Sequence, residues 1–393
     1  MKNILIIGAS ILQLPAIVKA KELGYHTIVV DYNPKAIGIQ YADEYYNIST
    51  IDQEAIVKLA EDIRPDGLMT LATDMPMRAL ARATERLGLP GISFETAVKA
   101  TDKGEMRKAF KENNIESPWF FIVEKHDDLK SILPSLTYPC VMKPTDNAGN
   151  RGVCYITSEQ ELLKEFEYSY SNSRSGRVIV EEYMAGQEVS VEIIVYKGVV
   201  HVIAVTDKQT LGKPYFVEIG HAQQSQLNKE DVDAIKDLAS RAVLALGIDN
   251  SPAHVEIMLT KDGPKMVELG ARLGGGCIST HLVPLSTGVD MVKAVMDMAL
   301  GIEPDIAPKF DKGSALRHII GIEGEIDSVS GLNEAESISG VKEVVLLKNV
   351  GDQVGYFMNG SDRIGYVIAQ ADTAADAIRI CEESLKKIHI KTK

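Results

Sequence analysis

Near the N-terminus the apolar positions come in short blocks separated by stretches of helical period. NILIIGAS is a β-rich run ending near a glycine, ILQLPAIVKAKELG spaces its apolar residues as a helix does, and YHTIVVD is strand-like again. The alternation continues through QEAIVKLAEDIRPDGLMTLATD and MPMRALARATERLGLPGIS, so residues 1–95 are predicted to form a small doubly wound, Rossmann-like α/β domain. TDKGEMRKAFKENN opens a new section as a helix. From about residue 137 to 205 the pattern changes to short strands with glycine turns, PCVMKPTDNAGNRGVCYI and RVIVEEYMAGQEVSVEIIVYKGVVHVIAV, which predicts antiparallel sheet. KEDVDAIKDLASRAVLALG is an amphipathic helix, HVEIML and MVELGARLGG are paired strands, and DMVKAVMDMALG is a further helix whose Met291, Met296 and Met298 are expected in the core. The remainder reads as a small strand-rich unit closed by a helix. The expected organisation is a mixed α/β and α+β chain in three units, residues 1–95, 96–309 and 310–393.

Composition narrows the class. A chain of 393 residues has ample material for several cores, and a formal charge of −13 argues against an extended nucleic-acid or anionic-membrane surface. Cys140, Cys154, Cys277 and Cys381 are scattered with no C-x-x-C pair, so neither a disulfide framework nor a zinc knuckle is indicated, and a reducing cytoplasm is the expected location. The N-terminal run MKNILIIGASILQLPAIV is interrupted by Gly8, Gln13 and Pro15, and reads as structure rather than as a targeting or spanning segment.

The first candidate chemistry lies in HVEIMLTKDGPKMVELGARLGG. A three-residue loop at Lys261, Asp262 and Gly263, with glycine in the left-handed position, sets Thr260 against Pro264 and Glu256 directly opposite Glu268. The strand period of two then gathers His254, Glu256 and Met258 on one face, and Glu268, Gly270 and Arg272 on the matching face. Facing carboxylates repel. A divalent cation between them resolves the conflict, Mg²⁺ being the natural choice for hard oxygens without cysteine. Two solvated, outward-facing glutamates are the alternative, and the pattern alone leaves both open.

Further candidates surround it. VMKPTDNAGNRGV places Lys143 at a strand end before a loop of small residues, where backbone amides and a lysine can close on phosphate oxygens, although a simple turn has the same composition. The G-x-x-x-x-G-K-[ST] spacing of a Walker loop is absent. VIVEEYMAGQEVSVE links two strands through Glu181, Glu182 and Met184 to Glu188, a place for backbone contacts to an adenine and a carboxylate to ribose, or for a solvated acidic turn. LGGGCISTHL predicts a helix whose first amides, near Gly275, face an anion. Cys277 beside it has no supporting histidine motif and is expected to pack rather than react.

The ordered set of Lys103 in TDKGEMRKAF, VMKPTDNAGNRGV, VEEYMAGQEVSVE and HVEIM…MVELGARLGGG resembles the ATP-grasp superfamily, especially its carboxylate–amine ligases, which include the L-amino-acid ligases. The likeness covers nearly the whole chain. It implies a pre-ATP-grasp domain over 1–95, a two-part ATP-grasp domain over 96–309, and a C-terminal unit like that of the biotin carboxylases over 310–393. It further implies ATP and Mg²⁺ as cofactors, with small carboxylate and amine substrates, and allows a homodimer. Lys103, Lys143, Asn150 and Gly152 would meet the phosphates, Glu181, Glu182 and Met184 the adenine, and Glu188 the ribose. Glu256 and Glu268 would hold magnesium, and Arg272 would stabilise an acyl phosphate and the oxyanion that follows. Lys208 and His221 lie where such ligases recruit phosphate or substrate, though a lone histidine is more often structural. The family commonly reads E-x-N-x-R; here the middle position is Gly270, which removes one side-chain oxygen.

Three other functions are weighed. A dinucleotide oxidoreductase would use Asp31 on ribose, but Ser10 and Gln13 stand where G-x-G-x-x-G needs glycine. A non-catalytic nucleotide sensor is disfavoured by the retained Lys103, Lys143, Glu256, Glu268 and Arg272. Activation of bicarbonate, as in biotin carboxylases or carbamoyl phosphate synthetases, stays open within the superfamily.

Overall fold

Apolar strands in the first unit are buried on both sides. The computed structural model describes residues 1–147, 151–212, 217–356 and 362–393. In it, Asn3–Ile7 pairs in parallel with His26–Val30 and with Gly67–Met69, and Glu44–Tyr46 completes a four-stranded sheet. Helices Leu14–Glu22, Gln53–Ile63 and Met77–Leu87 connect or flank these strands. The loop after the first strand is filled by Gln13, whose side chain lies 2.8 Å from where a Cβ on Gly8 would stand. Gln13 is buried there, donates to the Leu71 carbonyl at 2.6 Å and accepts from the Ser10 hydroxyl at 2.7 Å. Both Asp31 oxygens accept backbone amides, from Ala9 and from Asn33, each at 2.9 Å.

A second four-stranded sheet orders Phe120–Val123, Val178–Glu182, Cys140–Pro144 and Cys154–Ile156, all antiparallel. The largest sheet has eight antiparallel strands: Gly263–Gly270, Ser251–Thr260, Gly186–Tyr196, Val199–Thr210, Glu218–Gln223, Gly313–Ile319, Gly365–Ala371 and Val341–Leu346. Residue 310 therefore marks a change of texture inside one continuous sheet. A three-stranded sheet of Gln353–Val354, Gly324–Ser330 and His389–Thr392, with helix Ala374–Leu385, completes the C-terminal part.

The strand Gly186–Tyr196 shows how the pattern builds the site. Val189, Val191, Ile193 and Val195 pack in one core with Ile235, Leu238 and Ala242 of helix Lys229–Ala245. Period two sends Glu188, Ser190 and Glu192 to the opposite face. Ile194 on that face joins a second core with Met291, Met296 and Met298 of helix Met291–Ala299, the packing role expected of those methionines.

The hairpin that carries the facing glutamates closes differently from the expectation. Gly263 does take a positive φ of 105°, but Thr260 pairs with Gly263 and Leu259 with Pro264, one residue tighter than predicted. An irregularity between Glu256 and Ile257 leaves Val267 as the extra residue on the partner strand. That bulge restores the register, so Glu256 is opposite Glu268 after all. Arg107 donates to the Val267 carbonyl at 2.6 Å, satisfying an acceptor that the ladder leaves over.

Candidate active site

Cross-strand neighbours on one face of the eight-stranded sheet form rows. Glu268, Glu256, Ser190 and Thr206 make one, and Gly270, His254 and Glu192 make the next. Lys208, paired with His221, stands beside Glu188. A cleft of about 320 Å³ opens at the edge of these rows, between this sheet, the first unit at Asp74 and Met75, and the smaller sheet at Asn147 and Arg174. Lys103, Glu256, Glu268 and Arg272 all line it.

The two facing carboxylates are held apart by separate cations. Lys103 binds Glu268 at 2.9 Å and donates to the Asn147 carbonyl at 3.1 Å. Lys208 binds Glu256 at 2.8 Å, Glu188 at 2.7 Å and Glu218 at 3.0 Å. His254 bridges Glu192 at 2.6 Å and Glu256 at 3.2 Å, and the Ser279 hydroxyl donates to the other Glu192 oxygen at 2.8 Å. Burial opposes charge on His254, but Glu192 and Glu256 outweigh it and raise the imidazole to about 9. Burial likewise opposes charge on Glu268 and Glu256, and Lys103 and Lys208 respectively override it, so both carboxyls sit below their ordinary range.

Around Lys208 three carboxylates share one ammonium, with one oxygen from each of Glu188, Glu218 and Glu256 within 4.8 Å of the others. Burial and the repulsion of Glu256 and Glu218 push Glu188 up despite Lys208. Burial also works against Glu218, but Lys208 and His221 bring it to about 2. His221 is buried, its two nitrogens have no hydrogen-bond partner among the described residues, and burial lowers it to about 4.

The remaining expected residues are placed as follows. Lys143 lies near the end of strand Cys140–Pro144, as expected, and is buried and paired with Glu181. Glu181 is itself buried and also bound by Arg107 at 3.1 Å, so its side chain belongs to a structural ion triad. Glu182 is held by Lys265 at 3.0 Å. Met184 lies in the link 183–185 between two strands. Gly152 sits in the turn against Pro144 and Asn172, while Asn150 falls outside the described residues. The segment after Gly275 is a π-helical turn, Ile278–Leu282, running into the short helix Val283–Thr287. Burial pushes the Cys277 thiol up to about 11, as suits a packing residue.

Arg107, Asp74, Glu192 and His254 were not singled out as site residues from sequence. Arg107 had a signal: it is four residues beyond Lys103 on one helix, between the buried Met106 and Phe110, where an unpaired cation would be costly. Asp74 had none, because its partner Arg272 is 198 residues away.

Residues 136–281 match the ATP-grasp domain family, and residues 318–393 match the L-amino acid ligase C-terminal domain 2. The alanine–anticapsin ligase of Bacillus subtilis is 28% identical over 325 residues, 76% of this chain and 67% of that one. The phosphoribosylglycinamide synthetase of Anaerococcus prevotii superposes with a TM-score of 0.81 at 27% identity over 100% of both chains. The L-amino acid ligase of Bacillus licheniformis shares the fold, with a TM-score of 0.86 at 24% identity over 100% of this chain and 99% of that one.

Proposed function

This chain belongs to the carboxylate–amine ligase branch of the ATP-grasp superfamily, and from that premise we propose how its residues divide the work of joining an acid to an amine. It is an ADP-forming carbon–nitrogen ligase: the γ-phosphoryl group of ATP passes to a carboxylate, and an amine displaces phosphate from the acyl phosphate to leave an amide. We assign α-amino acids as the class of both substrates, on the match of residues 318–393 to the L-amino acid ligase domain. A cytoplasmic location fits the four unpaired cysteines, and no helix among the described residues is long and apolar enough to cross a membrane.

The observation that carries the reading is the convergence of Lys103, Glu256, Glu268 and Arg272 on one cleft. Glu256 and Glu268 are cross-strand neighbours with hard oxygens, and the three carboxylates around Lys208 leave the site with surplus negative charge, a donor set that suits Mg²⁺. Glu256 and Glu268 would hold such an ion, which would supply positive charge against the phosphate oxygens. Lys103 and Lys143 add point charges on the phosphate side, with Gly152 in the turn that follows the Lys143 strand. The link 183–185 offers backbone groups to the adenine edge, which leaves Glu181 and Glu182 to shape that wall through their ion pairs. Glu188 is assigned to the ribose hydroxyls. Lys208, His221 and the Gly275 turn face the substrate side. His254 tethers Glu256 and so orients it. Arg272 presents a planar fork to the acyl phosphate and to the oxyanion formed when the amine attacks.

ATP-dependent phosphate release against pools of amino acids, with and without bicarbonate, tests the substrate class. Release stimulated by bicarbonate alone would overturn it. Arg272→Ala is expected to bind Mg²⁺–ATP normally in calorimetry while losing amino-acid-stimulated ADP formation by ~10²-fold or more, the scale of an oxyanion donor. Near-normal turnover in that variant would make Arg272 structural.

A further inference from the structure

Arg272 is held by a residue of the first unit. Asp74 Oδ1 accepts from Arg272 Nε at 3.0 Å and Oδ2 from Nη2 at 3.1 Å, a side-on bidentate pair across 198 residues. The Leu273 carbonyl takes a hydrogen of Nη1 at 3.2 Å. Of the five N–H groups of a guanidinium, these contacts use the inner three. The outer pair, one N–H on each terminal nitrogen, has no partner among the described residues, and its spacing also matches two oxygens of a carboxylate or phosphate.

The position that departs from the family pattern lies against this pair. A Cβ on Gly270 would come within 2.6 Å of Asp74 Oδ1, 3.0 Å of Arg272 Nε and 3.1 Å of Arg272 Cζ. The space that a side chain at 270 would fill is occupied by the Asp74–Arg272 pair. Glu256 and Glu268, on the same cleft, also attract this guanidinium.

We propose that Asp74 is the positioning residue of Arg272, and that Gly270 is the partner substitution that admits it. Asp74 takes the inner fork of the guanidinium, fixes its plane, and leaves the outer fork aimed for the reacting oxygens. The first unit thereby contributes to the chemistry without touching substrate. This rests on the reading that Arg272 meets the acyl phosphate, and the experiment separates failure of the two.

Phosphate release is measured with saturating and diluted equimolar pools of the standard L-amino acids for the wild type, Asp74→Ala, Asp74→Asn, Gly270→Ala, Arg272→Ala and the Asp74→Ala/Arg272→Ala double variant. Misaligning a reacting group by about 1 Å costs about 10²-fold, so Asp74→Ala and Gly270→Ala are each expected to lower maximal release by about that factor. Half-saturating pool concentration and Mg²⁺–ATP affinity should stay near wild type, and Asp74→Asn, which keeps one acceptor, should fall between. In the Arg272→Ala background, removing Asp74 should cost less than about twofold, because the two residues act as one unit. An equal loss from Asp74→Ala in both backgrounds overturns the proposal, since Asp74 would then act through a contact of its own, such as with the amine. Full activity of Asp74→Ala beside a crippled Arg272→Ala overturns it too, and leaves the function intact. An active Arg272→Ala removes both. Arginine Nε–H NMR, assigned with Arg272→Lys, gives a readout free of substrate: the Arg272 Nε–H should exchange slowly in the wild type and fast in Asp74→Ala and Gly270→Ala. Unchanged protection in Asp74→Ala also overturns the proposal.

Discussion

Arg107 shows how much a single side chain can be asked to settle. Its guanidinium is buried, binds Glu181, and caps the carbonyl of the bulged Val267. Arg107→Met keeps the apolar stem between Met106 and Phe110 but leaves Glu181 with Lys143 alone and the carbonyl without a donor. Breaking a buried pair by removing one partner typically costs about 3–5 kcal/mol, so the urea midpoint should drop by an equivalent amount. A stability within about 1 kcal/mol of wild type would show that Lys143 suffices for Glu181. At this scale residue types were legible. Glu188, Glu256, Glu268 and Lys208 lie on the large sheet, Lys103 and Arg272 line the cleft, and Lys143, Glu181 and Glu182 belong to the smaller sheet, but the partners of all of them were hidden. Like charges at Glu256 and Glu268 called for a counter-charge, and nothing local could say that Lys103 and Lys208 supply it.

Among the elements, helix Lys103–Glu112 depends on its first residue being held in place. Asp102 caps it, accepting from the Gly104 and Glu105 amides at 2.9 and 3.1 Å, and its other oxygen accepts from the Thr145 hydroxyl at 3.1 Å. The cap therefore also ties the helix start to the end of the strand that carries Lys143. Asp102→Ala should cost about 1–2 kcal/mol in denaturant unfolding, as lost caps do, and should weaken nucleotide binding because Lys103 is the first helical residue. Loss of stability with unchanged nucleotide affinity would detach Lys103 from the phosphates. The D-K-G-E spacing made this helix start readable, since acidic caps announce themselves within one turn. The glutamate hairpin was less so. Its turn chemistry was visible in K-D-G, but the ladder closes one residue early and a bulge at Val267 corrects it, because Met266 and Leu269 must both reach the core.

Over the whole molecule, protons link stability to two buried histidines. Burial lowers His221 to about 4, against the pull of Glu218; burial, together with Arg363 and His221, lowers His318 to about 3. Their ring centroids lie 6.3 Å apart, with the rings nearly perpendicular. Both are neutral in the fold and recover an ordinary value near 6.5 when it opens, so the unfolded chain binds more protons between those limits. Stability should decline as pH falls from 6.5 toward 4, and Glu218, held at about 2, adds a loss of the same sign below about 4.5. His318→Gln should flatten the upper part of that decline in urea titrations across pH. Superimposable slopes would show that His318 does not carry the linkage. What the sequence by itself determined is everything set by local period and order: the parallel opening unit, the antiparallel strands, the helices, and the face on which Glu188, Glu256, Glu268 and Arg272 fall. Periodicity needs only neighbours in the chain. What the tertiary structure decided is pairing across distance: that strands after residue 310 join the same sheet, that Gln13 closes the loop a dinucleotide would need, and that Asp74 meets Arg272 through the room left by Gly270. Those depend on which surfaces meet when the units pack, and a charge or a missing side chain carries no mark of its partner until they do.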